Sequence, residues 1–228
     1  MKLIAKQALI RTVYVYVITY LVLLMAILGL MYVYPKPELH MLLNSYHSSL
    51  QDTFFKYYSM LAEWPLYAIA LLPLLWKKVK MAIFFAMCEL TGGSILQILK
   101  HIISTDRPVS VFEHYAYMDL PLVQGVTMHH GNSFPSGHAS TFFMFCTCCV
   151  IIQAYSYIQR DRPYSLGKKI LFHTMLIVLL VVAAVGAYSR VYLSQHFLAD
   201  VCVGSVIGFI TPFMMYLLLW NRIPRLKN

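Results

Sequence analysis

Three short clusters in this sequence carry residue types that can do chemistry on an anion. The first, Pro135-Ser136-Gly137-His138, stands where a polar loop turns into an apolar run. Proline needs no hydrogen-bond partner in the first turn of a helix, and serine can cap the free amides there. Gly137 removes the side chain that would keep a ligand off the backbone, and a helix N-terminus favours an anion. His138, one residue on, is placed to exchange a proton with that anion. Alone, the four residues read equally well as a capped helix start.

The second cluster is Lys100 with Arg107-Pro108, two cations that can converge on one point. The third is Ser189-Arg190 followed by His196 and Asp200. His196 and Asp200 are spaced i, i+4, so on one helix they share a face and the carboxylate can hold an imidazole nitrogen. Cations at the ends of apolar runs also snorkel to an interface, and a His/Asp pair can be structural. The clusters gain meaning only if the intervening elements bring them together.

Those elements are apolar. The chain of 228 residues is 60% hydrophobic and 12% charged, with a mean hydropathy of +0.66. That is too apolar for a soluble domain and predicts a polytopic membrane protein. Apolar runs predict spans over Thr12–Tyr34, Phe54–Trp76 with kinks at Pro65 and Pro73, Met81–Ile103, the 135–158 stretch, Ile170–Ser189 and Phe197–Trp220. Lys36–Asp52 has leucines at helical spacing and predicts an amphipathic interfacial helix. Arg107–Phe134 is the one long loop. The expectation is a single all-α domain over 1–228: six transmembrane helices, an amphipathic helix and one long extracytoplasmic loop. The N-terminal run is too long for a signal peptide and lacks a cleavage site, so it reads as a retained span.

The net charge of +9 raises nucleic acid as a partner, but the placement argues otherwise. Of the 18 Lys and Arg, 13 fall on one side of the six-span topology: Lys2, Lys6, Arg11, Lys77, Lys78, Lys80, Arg160, Arg162, Lys168, Lys169, Arg222, Arg225 and Lys227. By the positive-inside rule that side is cytoplasmic and holds both termini. The basic flanks suit anionic lipid headgroups. The same topology delivers all three clusters to the opposite face, where ionisable groups near a bilayer tend to mark function. The five cysteines lie in apolar runs, are odd in number, and lack the spacing of a zinc site, so they read as packing residues.

The pattern K-x6-R-P, P-S-G-H, S-R-x5-H-x3-D resembles the three-part signature of the type 2 phosphatidic acid phosphatase family, with every defining residue present and in order. The resemblance implies a metal-independent phosphatase with no cofactor, acting through a phosphohistidine. It implies that His196 attacks phosphorus, that Asp200 orients it, and that His138 protonates the leaving oxygen and then activates water. It implies that Lys100, Arg107 and Arg190 bind the phosphoryl oxygens, with Ser136 and the Gly137 amide assisting. The short six-span form looks bacterial within that family, which implies a multi-pass protein of the bacterial inner membrane with a periplasmic site.

The expected partners are a lipid phosphate and the surrounding membrane lipids; the oligomeric state is left open. The His-rich run from His129 to Phe134 inclines the reading to a large glycolipid phosphate of the lipid A type. Undecaprenyl diphosphate and phosphatidylglycerophosphate stand beside it, as does a phosphotransferase using the same site. A vanadium haloperoxidase is disfavoured by the apolar spans, and a non-catalytic lipid-phosphate binder by the intact His/His/Asp set. His114, His129 and His130 are open between substrate recognition and solvated loop. Glu63 and Glu89 are open between function and pairing with a neighbouring helix, through Lys56 or a backbone donor. Gly204 and Gly208 predict close helix packing, and Tyr14, Tyr16, Tyr20, Tyr32 and Tyr34 read as span and interface residues.

Overall fold

The computed structural model describes residues 2–77, 79–115, 118–159 and 165–219. Lys78, Arg160, Arg162, Trp220, Arg222, Arg225 and Lys227, which the span and topology expectations used, lie outside them. All regular structure among the described residues is helical. In chain order the helices are α1 (Lys2–Val33), α2 (Lys36–Leu43), α3 (Ser49–Ser59), a 3-10 turn (Met60–Ala62), α4 (Trp64–Lys77), α5 (Val79–Ile102), α6 (Pro108–Phe112), α7 (Gly137–Ile158), α8 (Leu166–Tyr192) and α9 (Leu198–Leu219). Residues 8–33 of α1 together with α5, α7, α8 and α9 make five helices long and apolar enough to cross a membrane. Their outward faces carry large apolar side chains such as Leu90, Ile98, Leu171 and Leu218, as a lipid-facing surface requires.

α7 is the centre of the bundle and packs against α1, α5, α8 and α9. Its seam with α9 is closed backbone to backbone. A Cβ on Gly204 would lie 2.3 Å from the Ser136 carbonyl oxygen, and one on Gly208 2.2 Å from that of Ser140. The small-xxx-small pair therefore sets the approach of the two helices, as its spacing predicts. α1 covers this seam with buried aromatics. The Tyr20 and Phe209 rings stack at 3.9 Å, Tyr16 shares a 2.9 Å hydrogen bond with Thr147, and Tyr20 one of 3.1 Å with Ser205.

Two expected elements are broken. The continuous second span over Phe54–Trp76 is instead α3, the 3-10 turn and the 14-residue α4. The break falls at Glu63, whose ψ of 142° is extended, two residues before Pro65. Proline has no amide to continue a ladder and restricts the residue before it, so the helix restarts at Trp64 rather than kinking. Pro73 lies inside α4 as expected. The amphipathic helix over Lys36–Asp52 is likewise divided into α2 and the start of α3. His47 bridges Asn44 Oδ1 at 2.9 Å and Asp52 Oδ1 at 2.8 Å, and the Ser48 hydroxyl caps α3 by accepting from the Gln51 amide. That polar joint lets α3 fold down beside α8. There the Tyr192 hydroxyl donates to Asp52 Oδ1 (2.6 Å) and the Tyr58 hydroxyl to the Val182 carbonyl (3.0 Å).

The partner suggested for Glu63 and Glu89 is also corrected. Lys56 donates to the Gln124 carbonyl at 3.1 Å and so pins the long loop. Glu89 takes its hydrogen bond from the Thr141 hydroxyl at 2.9 Å.

Candidate active site

The C-terminal end of α5 and of α8 and the N-terminal end of α7 and of α9 meet at one end of the bundle. The described residues between α5 and α7 are tied across this end, Pro121 and Thr127 through their carbonyls to Ser194 and Gln195. All three clusters come to this end.

The turn between α8 and α9 sets His196. Ser194 takes a left-handed conformation (φ 52°), which folds the chain so that the amides of Gln195 and His196 both donate to the Arg190 carbonyl, at 3.0 and 3.1 Å. The Ser194 hydroxyl donates to the Pro121 carbonyl and accepts from Asn44 Nδ2 at 2.7 Å. His196 and Asp200 are both buried. Nδ1 of the ring lies 3.6 Å from Asp200 Oδ2, an ion-pair separation slightly longer than a hydrogen bond. Ser133 bridges the pair: its hydroxyl donates to Oδ2 at 2.5 Å and lies 3.4 Å from Nδ1. The Phe197 amide is a second donor to Oδ2, at 3.0 Å. Burial, opposed by the nearby Asp200 carboxylate and reinforced by the charges of Arg107 and Arg190, pushes His196 down to about 4. Its ring is therefore neutral at neutral pH, with Nε2 on the side away from the carboxylate.

The PSGH stretch starts α7. The Ser136 amide donates to the Asp200 carbonyl at 3.0 Å, locking this start to α9. The Ser136 hydroxyl is fully buried and accepts from the Ala139 amide, so its observed role is the helix cap rather than an open anion contact. The amides of Gly137 and His138 occupy the first helical positions and have no carbonyl partner within the helix. A Cβ on Gly137 would meet nothing within 4 Å, so this backbone borders open space. His138 is half-buried and, among the described residues, has no hydrogen-bond partner. It stands within electrostatic reach of Arg190, His196, Arg107 and Lys100.

The cations hold the loop. Lys100 Nζ donates to the Asn132 carbonyl at 2.8 Å. Arg107 Nε donates to the Gly131 carbonyl at 3.0 Å, and Nη1 to the Gln195 carbonyl at 3.0 Å and Oε1 at 3.3 Å. Arg190 is 91% buried and its Nε is without a hydrogen-bond partner among the described residues. A buried guanidinium donor left unpaired, within electrostatic reach of His138 at the start of a helix, is a place for an oxyanion.

The three clusters lie within one match: the model of the PAP2 superfamily covers residues 79–224. The chain belongs to the PAP2 superfamily. Two solved structures share its fold. One is LpxE of Aquifex aeolicus, with 22% identity and a TM-score of 0.59 over 78% of this chain and 92% of that one. The other is the first transmembrane PAP2 type phosphatidylglycerolphosphate phosphatase from Bacillus subtilis, with 16% identity and a TM-score of 0.60 over 96% of this chain and all of that one. No curated protein sequence matches the chain. It is thus an all-helical membrane protein with the PAP2 phosphatase fold.

Other residues of this PAP2 protein are placed differently from the clusters. His130 is tied to α6: its ring Nδ1 lies 3.1 Å from the Ser110 hydroxyl and 3.8 Å from Glu113, and its carbonyl accepts from the Arg107 amide. The His114 ring, just past the end of α6, bonds the Ser110 carbonyl of that helix. His129 is exposed. Glu63 sits at the α3–α4 break within electrostatic reach of Arg190. Ser133, Thr105 and Gln195 are site residues that sequence reasoning missed. Thr105 accepts from the Ser133 amide through its carbonyl and from the Phe134 amide through its hydroxyl. Ser133 lies two residues before the PSGH stretch, and that adjacency was its only signal.

Proposed function

We propose that the protein is a membrane-embedded phosphatase that hydrolyses a phosphate monoester or diphosphate of a lipid through a phosphohistidine. The observation that carries this reading is the buried Nε of Arg190, unpaired among the described residues and within electrostatic reach of His138, with the free amides of Gly137 and His138 and the neutral His196 ring at the same bundle end. Lys100, Arg107 and Arg190 would neutralise the phosphoryl oxygens while the Gly137 amide donates to one of them. His196 Nε2 would attack phosphorus, and Asp200 would stabilise the positive charge that develops on the ring. His138 would give a proton to the leaving lipid oxygen and then take one from the attacking water. Phosphoryl transfer needs chiefly positioning and charge stabilisation, and this reading needs no metal.

The lipid tails would lie against the apolar faces of the spans, with the phosphate at the bundle end. The charge asymmetry of the loops supports an extracytoplasmic site, cytoplasmic termini and a bacterial inner-membrane location. A glycolipid phosphate of the lipid A type is the first substrate to test. The likeness to a solved phosphatidylglycerolphosphate phosphatase puts that lipid beside it, together with undecaprenyl diphosphate. A phosphotransferase would use the same intermediate with an alcohol in place of water.

The test is phosphate release by detergent-purified protein from these lipids with chelator present, wild type against His196→Ala. Release that survives chelation and disappears in the variant supports the mechanism, and the preferred lipid names the substrate. Release indifferent to His196 overturns it. Transfer to an added alcohol in preference to water would reassign the protein as a transferase.

A further inference from the structure

The joint between α2 and α3 is tied to the turn that carries His196 by side chains whose donor and acceptor roles can be assigned one by one. Ser194, whose left-handed φ of 52° folds that turn, is fully buried. Its hydroxyl lies 3.1 Å from the Pro121 carbonyl, 2.7 Å from Asn44 Nδ2 and 3.4 Å from His40 Nε2. A carbonyl only accepts, so the one hydroxyl hydrogen goes to Pro121 and Asn44 donates through Nδ2. The other end of that amide, Oδ1, meets His47 Nε2 at 2.9 Å, and Nε2 must donate to it. On the opposite side of the ring, Nδ1 lies 2.8 Å from Asp52 Oδ1. The Tyr192 hydroxyl, and after it the His47 ring, hold the Asp52 carboxyl below the usual carboxylate range. An ionised carboxylate only accepts, so Nδ1 donates as well. Both ring nitrogens carry a proton, and His47 is an imidazolium.

The chain from His47 through Asn44 and Ser194 ends on two parts of the site. The turn that Ser194 folds sends the amides of Gln195 and His196 to the Arg190 carbonyl. Gln195 in turn accepts from Arg107 Nη1 at its carbonyl and at Oε1. Loss of one proton from His47, whose ring keeps a partly exposed edge, reverses the chain. Nε2 becomes an acceptor, Asn44 turns its amide over to donate to it, and Oδ1 comes to face Ser194. The hydroxyl follows with its hydrogen, and the Pro121 carbonyl of the long loop loses its donor. Among the described residues, the titratable groups around this chain are Asp52 of α3, Tyr192 of α8, which stacks on the His47 ring at 4.2 Å, and His40 of α2. His40 is pushed down to about 4, chiefly by burial, and is neutral. His47 is therefore the member of the chain that can change charge between about pH 5 and 8.

We propose that His47 is a positioning residue for the reaction: its imidazolium, acting through Asn44 and Ser194, holds the turn that presents His196 and keeps the long loop fastened to it. The proposal rests on the reading of His196 as the nucleophile and adds what controls its placement.

The test compares kcat of full-length wild type, His47→Gln and His47→Arg in detergent at about pH 5 and about pH 8. The substrate is whichever of lipid A, phosphatidylglycerophosphate and undecaprenyl diphosphate wild type turns over fastest. Glutamine has one donor nitrogen where the ring has two on opposite sides, whereas arginine donates on both sides and does not titrate. At the lower pH wild type exceeds His47→Gln by about tenfold, the scale of one charge-assisted hydrogen bond; at the higher pH the two converge. His47→Arg matches wild type at the lower pH and exceeds it at the higher. Ionisation of the substrate and of other site groups is common to all three and cancels in the ratios. A wild-type to His47→Gln ratio that is the same at both pH values makes the residue merely structural and overturns the proposal. Should His47→Arg fail to fold, the Asn44→Ala background serves: there His47→Gln costs nothing further, and additive losses overturn the path through Asn44. If wild type releases phosphate from no lipid, the phosphatase reading fails separately and the joint is judged by thermal unfolding. The bonds that need the second proton are present at low pH and lost as pH rises. The midpoint gap between wild type and His47→Gln must therefore shrink from the lower pH to the higher, and a constant gap overturns the proposal.

Discussion

Ser133 and Asp200, 67 residues apart in the chain, are joined by a 2.5 Å hydrogen bond in which the hydroxyl donates to Oδ2. The hydroxyl also lies 3.4 Å from His196 Nδ1, so a single oxygen sits between the acid and the ring it serves. Ser133→Ala leaves Oδ2 with the Phe197 amide as its remaining strong donor. A hydrogen bond to a charged group contributes about 1.5–3 kcal/mol, so kcat should fall by about tenfold or more with KM unchanged. Steady-state kinetics on the preferred lipid decide it. A rise in KM at constant kcat would make Ser133 a binding group instead of a positioning one.

The His196 ring, held near a pKa of about 4 chiefly by burial, gives two separable pH effects. In catalysis the neutral ring is the nucleophile, so kcat/KM should fall as pH drops through about 4. In folding, the unfolded ring has a pKa of about 6.5 and takes up a proton that the folded ring refuses. Stability should therefore decline as pH falls from about 6.5 towards 4, and recover as pH rises. Thermal unfolding across this range, wild type against His196→Gln, isolates the group. An identical pH slope in the two proteins would refute the assignment.

Two glycines on either side of one carbonyl should respond oppositely. Gly204→Ala drives a Cβ to 2.3 Å from the Ser136 oxygen, an overpacking that costs about 1–3 kcal/mol. Its melting temperature should drop along with activity. Gly137→Ala meets nothing within 4 Å, so the fold should hold. Its added methyl borders the space proposed for the phosphoryl group, and kcat/KM should fall by about tenfold or more. Melting curves paired with kinetics separate the cases. An active, fully stable Gly204→Ala would show that the α7–α9 contact is looser than described.

Arg190 holds its charge in a buried position, with its Nε unpaired among the described residues. Arg190→Lys keeps the charge but removes the planar fork. Inhibition by inorganic phosphate should weaken by about tenfold, and kcat/KM should fall further, because the fork matters most as charge builds in the transition state. Unaltered phosphate inhibition would assign the anion to Lys100 and Arg107 alone.

Helix order and the three clusters were legible because both are written locally: apolar runs of span length, and charged residues at their ends. Ser133 was not legible. A serine in a polar loop carries no pattern, and its partner arrives from another helix. The break at Glu63 was half legible, since Pro65 was recognised as a disturbance. Whether proline kinks a helix or restarts it depends on how the preceding residue is held, here in an extended conformation. The loop histidines were open in the sequence for a third reason. The His130 ring is engaged by Ser110 and its carbonyl by Arg107, contacts that only the folded loop creates.

The α7–α9 seam has a mechanical consequence. A carbonyl resting in the notch of a glycine has no rotamer to change, so the helix that carries His138 and the one that carries Asp200 cannot slide past each other without a collision. One jaw of the site is fixed. The opposite jaw is gripped differently, by Lys100 and Arg107 reaching on long side chains to the carbonyls of Asn132, Gly131 and Gln195. If Lys100 and Arg107 bind the phosphoryl group as proposed, those grips would be exchanged for phosphoryl oxygens. A bulky headgroup would therefore gain admission by unfastening the loop, and the release of product would coincide with its refastening.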